Sequence, residues 1–301
     1  MRDDTVVENE QKKLRQQQMN NRLSSPRMST ETFHLFSEYI QDELGIKMLE
    51  NKQVMLQARL MKRLRALAID TYEEYYDYLF SEEGLDRELP YFVHQVTTNK
   101  TDFFREPAHF QYMVDHALPA LFKENIYSVQ NPLRLWSSAC STGEEPYTLA
   151  MVMADYAELR KYVTFRILAT DISPTVLQTA ARGIYESSKV DPVPPALRKK
   201  YLLRSKDRKK NTVRIIPELR SKVNFQWVNL KGGALNIDKL MDIIFCRNVI
   251  IYFSRATQEL VIENLCKQLR SGGYLFMGHS ETLSGFSLPL KQVATTIYRK
   301  I

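Results

Sequence analysis

No apolar run in this 301-residue chain approaches the roughly 20 residues a helix needs to cross a bilayer. The opening stretch, MRDDTVVENEQKKLRQQQ, also lacks the apolar block of a secretion signal. The expected location is therefore the cytoplasm, without membrane insertion. Cysteine is scarce: Cys140, Cys246 and Cys266 are odd in number, widely spaced and without a CxxC pair. This excludes a disulfide scaffold, and the expectation is reduced thiols and no metal. Glycine is sparse as well, ten residues in all, and the GxGxxG fingerprint of pyrophosphate-binding folds is missing. Neither zinc-finger spacing nor an RNA-binding aromatic signature occurs, so nucleic acid is not expected as a partner.

What is present is material for a packed core: 44% of the residues are apolar, and 11% of the chain is aromatic. The formal charge of +7 is concentrated in two places. Lys47, Lys52, Arg59, Lys62, Arg63 and Arg65 stand against Glu50 alone, and Arg198 to Lys210 holds eight basic residues facing only Asp207. Each stretch reads either as a solvated face or as a docking surface for an acidic partner.

The chain changes style along its length. Residues 1–28 are polar and end in Ser24-Ser25-Pro26, which predicts a flexible tail. Residues 29–98 predict a small all-α domain, with Phe33, Phe36, Ile40 and Leu44 on one stripe and Val54, Ala58 and Met61 on another. Helices are expected at 71–80 and 86–96, and residues 99–130 form a linking segment. Residues 131–301 alternate strand and helix patterns. Strands are expected at 133–139, 163–169, 223–228, 241–245, 274–277 and 293–298, with helices at 146–159, 173–182 and 255–269. The fold class is α/β, a doubly wound, Rossmann-like and mainly parallel sheet behind the all-α domain. A small β insertion, a hairpin of 201–204 and 212–216, is expected within about 189–220.

In such a sheet, ligands bind beyond the C-terminal strand ends, near the point where strand order reverses. The loop Ala139 to Pro146, Asp171, Asn229-Leu230 and Cys246-Arg247-Asn248 converge there. The first of these loops has a single glycine, Gly143, so a ligand without phosphates fits better. S-adenosylmethionine is such a ligand, and Asp171 is placed to accept from its ribose hydroxyls. Glu144 and Glu145 stand at a helix N-terminus, where negative charge is favoured with or without a ligand. Glu145 is the candidate for the cofactor's ammonium group. Spacing alone reaches a nucleoside-binding α/β enzyme.

Five blocks go further: TTNKTDFFRE (97–106), WSSACSTGEEPY (136–147), ATDI (169–172), IFCRNVIIYF (244–253) and GHSE (278–281). In that order they resemble the signatures of the CheR family of chemotaxis receptor methyltransferases, over about Thr30 to Arg299. The resemblance implies an enzyme that moves a methyl group from S-adenosylmethionine to receptor glutamate carboxylates. It implies that Asn99, Thr101 and Arg105 close over the cofactor. Glu145, Asp171, Asn229, Leu230, Cys246, Arg247 and Asn248 contact it, and Arg105 and Tyr252 are the catalytic pair. Arg59, Lys62, Arg63 and Arg65 would dock acidic receptor helices on a monomeric enzyme. In some members the β insertion captures a receptor C-terminal peptide as an added strand. The turn Ser205 to Asn211 departs from those members, being heavily basic and without glycine. Two other readings remain: the same chemistry on a receptor-like protein outside chemotaxis, or a silent cofactor-binding adaptor. Intact Asn99, Arg105, Asp171 and Tyr252 argue against silence.

Overall fold

The computed structural model describes residues 26–123, 127–158, 160, 163–207, 209–232, 235 and 237–301. Residues 1–25 of the expected tail lie outside the described residues. Met28, at the end of that expected tail, is buried, and its amide donates to Gln57 Oε1. The chain divides into two compact units, one of residues up to Glu38 with Leu49–Leu89, the other of Tyr39–Met48 with Pro90–Ile301.

The first unit is helical, as the apolar spacing predicts. Thr71 begins one helix, Tyr72–Leu79, with a reciprocal capping box: its hydroxyl accepts from the Glu74 amide, and the Glu74 carboxylate accepts from the Thr71 amide. The basic helix is Gln53–Leu67, but its buried stripe is Leu56, Leu60 and Leu64. The expected Val54, Ala58 and Met61 lie off that stripe, and Val54 is 77% exposed. Both sets have helical spacing; the leucines are buried, as are Phe33, Phe36, Tyr72 and Tyr75 of the same unit. The single helix expected at 86–96 is two helices, Glu82–Arg87 and Leu89–Val96. Ser81 caps the first by accepting from the Gly84 amide, and Pro90, which has no N–H to give, sits in the opening turn of the second.

The second unit is built on a seven-stranded sheet. Its strands are β1 (Leu133–Ser137), β2 (Phe165–Asp171), β6 (Val223–Trp227), β7 (Met241–Cys246), β8 (Leu269–Met277), β9 (Leu290–Ala294) and β10 (Ile297–Lys300), in the order β6-β2-β1-β7-β8-β10-β9. The first five are parallel and β10 runs antiparallel to both neighbours. Every residue of β7 is buried, as a central strand covered on both faces requires. Alternation divides its side chains: Ile243 and Phe245 pack with Leu149, Ala150 and Met153 of the helix Glu144–Glu158. Ile244 and Cys246 pack with Val261, Ile262 and Leu265 of the helix Arg255–Gln268 on the other face.

Three expectations need correcting here. The single strand expected at 293–298 is the hairpin β9–β10, turned at Thr296, whose φ of 53° breaks an otherwise strand-like run. The insertion starts earlier than 189, because β3 (Ile184–Glu186) joins β4 (Leu202–Arg204) and β5 (Thr212–Ile215), with β5 in the centre. A helix, Pro195–Tyr201, also lies within that insertion.

Candidate active site

The strand order reverses between β1 and β7, and the C-terminal ends of these strands carry the predicted residues. β1 ends at Ser137, and the turn to the helix Glu144–Glu158 is pinned to its neighbours. Ser138 N donates to Phe245 O, Cys140 N to Thr170 O, and Ser141 N to Asp171 Oδ2 at 2.8 Å. The lone Gly143 has φ 99°, and a Cβ there would lie 2.8 Å from the Tyr185 hydroxyl. That hydroxyl in turn donates to Thr142 O, so one glycine is what this packing demands.

Asp171 closes β2. One carboxylate oxygen accepts from Ser141 N and the other from Ser173 N at 3.0 Å. Burial pushes its carboxyl up from the ordinary range, against these N–H bonds. A carboxylate presents two acceptor oxygens side by side, which suits a vicinal diol such as ribose. The chemistry of this end of the sheet therefore fits a nucleoside without phosphates.

Arg247 organises the next layer. Its guanidinium is buried, with Nε 2.6 Å from Glu145 Oε2 and Nη1 2.7 Å from the Arg105 carbonyl oxygen. Glu145 Oε1 accepts from the Ser137 hydroxyl. The cation beside Glu145 is therefore the chain's own arginine, and a ligand ammonium would share that carboxylate. Nη1 also lies 3.3 Å from both Glu106 Oε2 and His109 Nδ1. His109 Nδ1 lies between the guanidinium and Glu106 Oε2, 3.3 Å from each, and its Nε2 reaches Thr296 Oγ1 at 3.0 Å. Burial, with Arg247 adding to it, lowers the His109 pKa to about 4. Glu106, His109 and His279 bring potential ligand atoms within 4.8 Å of one another. Two of those atoms, Glu106 Oε2 and His109 Nδ1, already face the Arg247 guanidinium, and His279 is exposed.

Asn248 holds φ 59°; its side chain donates to Glu106 Oε1 and its amide to Glu281 Oε2. Phe104, Glu106 and Ser141 also have left-handed backbone, so four of the six non-glycine residues of positive φ among the described ones lie in these segments. The Asn99 carbonyl accepts from the Ser141 hydroxyl, while its amide group donates to His94 O and Thr97 Oγ1. Thr101 is half-buried close by in sequence. Arg105 is half-buried and donates to Lys100 O. Tyr252 closes the short helix Ile250–Tyr252, and its half-buried hydroxyl has no hydrogen-bond partner among the described residues. No hydrogen bond joins Arg105 to Tyr252 among those residues.

Several predicted residues make contacts within the protein. Asn229 spends its carboxamide on Glu43 O and the Lys231 amide, which fixes the segment Tyr39–Met48. Leu230 and Cys246 are core residues, and burial drives the Cys246 thiol far above its usual range, so it stays protonated. In the first unit, Arg63 forms a bidentate pair with Glu88, 2.7 Å for both bonds, and Glu88 also accepts from Tyr75 Oη. Arg63 thus belongs to the interior of its unit, while Lys62 and Arg65 are exposed and Arg59 half-exposed. Glu106, His109 and Glu281 were given no role by sequence reasoning, although Glu106 and Glu281 lie inside the five blocks. Hydrogen bonds tie all five blocks together: Asn99 to Ser141, Ser141 to Asp171, Glu145 to Arg247, Arg247 to Arg105, and Asn248 to Glu281.

Comparison with known proteins was made against this geometry. A family model described as CheR methyltransferase, SAM binding domain, matches residues 99–299, and one described as CheR methyltransferase, all-alpha domain, matches residues 31–97. The chain is 36% identical over 282 residues to chemotaxis protein methyltransferase 2 of Pseudomonas aeruginosa, covering 91% of this chain and 97% of that one. It is 35% identical over 263 residues to the chemotaxis protein methyltransferase of Borreliella burgdorferi, covering 87% and 91%. The chemotaxis protein methyltransferase of Salmonella typhimurium is 34% identical over 281 residues, with 93% of each chain covered.

Proposed function

The chain belongs to the CheR methyltransferase family, and from that premise we propose that it esterifies glutamate side chains on the cytoplasmic helices of chemotaxis receptors. The observation that carries this reading is the hydrogen-bonded convergence of the five blocks at the switch point of the parallel sheet. S-adenosylmethionine, when bound, supplies a methyl group on a sulfonium sulfur; a carboxylate oxygen takes the carbon, and the S–C electron pair returns to sulfur.

In this reading Asp171 holds the ribose, and Asn99 and Thr101 line the same pocket. Arg247 and Asn248 shape its wall, and Glu145, already paired to Arg247, faces the ammonium group. A receptor glutamate with a pKa of about 4.3 is ionised at neutral pH, so no general base is required. What this chain contributes is alignment, and positioning of two reactants can remove roughly 7–11 kcal/mol of barrier. The Tyr252 hydroxyl, without a partner among the described residues, would donate to the acceptor carboxylate. Arg105 orients that carboxylate rather than gripping it, because a strong ion pair would stabilise the anionic ground state more than the charge-dispersed transition state. Exclusion of water favours a reaction in which two charges annihilate.

Receptor docking falls to three cations of the basic helix, the exposed Lys62 and Arg65 and the half-exposed Arg59, which steer an acidic helix and set its register. The test is incubation with labelled cofactor and a panel of receptor cytoplasmic fragments. Base-labile label in the fragment supports the proposal; base-stable label would place the methyl group on another atom and reject it.

A further inference from the structure

Glu281 carries no assigned role, yet its environment is the most constrained of any acidic side chain near the site. Its carboxylate is 2% exposed. It accepts four backbone N–H bonds: Oε2 from Gly278 at 2.7 Å and Asn248 at 2.8 Å, Oε1 from Val249 at 2.8 Å and Ile250 at 2.9 Å. Three successive amides aimed at one carboxylate make an anion-binding concavity, filled here by the protein's own side chain. Gly278 makes the approach possible, since a Cβ there would lie 2.7 Å from both Glu281 Oε2 and Asn248 Nδ2. Asn248 keeps a left-handed backbone, which asparagine accepts more readily than most residues. The same turn leads directly into the short helix Ile250–Tyr252.

Resting on the functional reading above, we propose that Glu281 is a positioning residue for methyl transfer: it clamps the turn after β7 so that Asn248 and Tyr252 meet the acceptor carboxylate in register. All its side-chain hydrogen bonds run to backbone amides, so it acts through the turn. Two features make this more than general support of the fold. Three of the four donating amides belong to the turn that carries Asn248 and leads to Tyr252, and Asp171, with its own amide partners, lies on a different strand end.

Glu281→Gln is the decisive variant. It keeps the shape but sets an NH2 group against two N–H donors in either orientation, so half of the clamp is lost. Expected for a folded Glu281→Gln protein are S-adenosylhomocysteine affinity within about threefold of the unaltered protein and a fall in kcat of about a hundredfold. Backbone hydrogen exchange at residues 248–250 should be slow in the unaltered protein and faster in the variant. A kcat within about threefold of normal overturns the proposal, as does a parallel loss of affinity, kcat and melting temperature, which marks a merely structural role. Should Glu281→Gln fail to fold, exchange in the unaltered protein decides: protected amides at 248–250 support the clamp and unprotected ones overturn it. If the unaltered protein methylates no receptor fragment, the functional reading fails, while the exchange measurement still judges the clamp.

Discussion

Removing the Arg63 side chain should cost stability rather than receptor recognition, and the two can be measured apart. Arg63 donates two 2.7 Å bonds to Glu88, whose side chain is 3% exposed, while the Arg63 side chain is 17% exposed. In Arg63→Ala the Glu88 carboxylate stays buried with Tyr75 Oη as its remaining side-chain donor. Breaking one side of a buried pair costs 3–5 kcal/mol, and the partial exposure of Arg63 puts this case at the lower end, about 3 kcal/mol. Arg63→Lys keeps the charge but loses the two-pronged geometry and should cost about half as much. Arg65→Glu, on an exposed position, should change stability by no more than about 0.5 kcal/mol. Urea titrations followed by far-ultraviolet circular dichroism give these differences. Methylation of a receptor fragment at low and high salt gives the other axis: Arg65→Glu should slow it at low salt, with the gap closing as salt rises. The reasoning fails if Arg63→Ala unfolds with the unaltered protein, or if it is fully stable yet shows the salt-dependent methylation defect expected of Arg65.

Tyr252→Phe removes one hydrogen bond to a charged acceptor, worth about 1.5–3 kcal/mol, so kcat should fall roughly tenfold to a hundredfold with cofactor affinity unchanged; equal kcat values would remove Tyr252 from the mechanism. His109 is neutral when buried, with a pKa lowered from 6.5 to about 4. The unfolded chain takes up that proton first, so the stability due to His109 is complete above about pH 6.5 and drains away toward pH 4. Between those limits the unaltered protein should lose about 3 kcal/mol more than His109→Gln does, and parallel pH–stability curves for the two would contradict the assignment.

Much of this was legible because the residues concerned act through local pattern. The apolar run of β7, broken only by Asp242, and the capping residues around Thr71 announce themselves within a few positions. The turn after β1 was recognisable because its single glycine is fixed by close packing against Tyr185. Periodicity could not choose between Leu56-Leu60-Leu64 and Val54-Ala58-Met61, since both repeat like a helix face and only the tertiary core decides between them. The run from Val293 to Tyr298 reads as one strand because nothing local signals that Thr296 turns left-handed. Ion pairs were the least readable. Arg63 finds Glu88 25 positions away and Arg247 finds Glu145 at a distance of 102 positions, so each looked like a free charge or a ligand contact. Glu281 was hidden for another reason: its side-chain partners are backbone amides, which leave no residue signature.

The central claim is that a nucleoside-bearing methyl donor sits at the strand ends with its ribose on Asp171. Titration calorimetry with S-adenosylhomocysteine on the unaltered protein and on Asp171→Ala tests it directly. The account predicts one site per chain for the first and affinity weakened by at least about tenfold for the second, the worth of one charged hydrogen bond. No heat from the unaltered protein, or the same affinity in both, would contradict it.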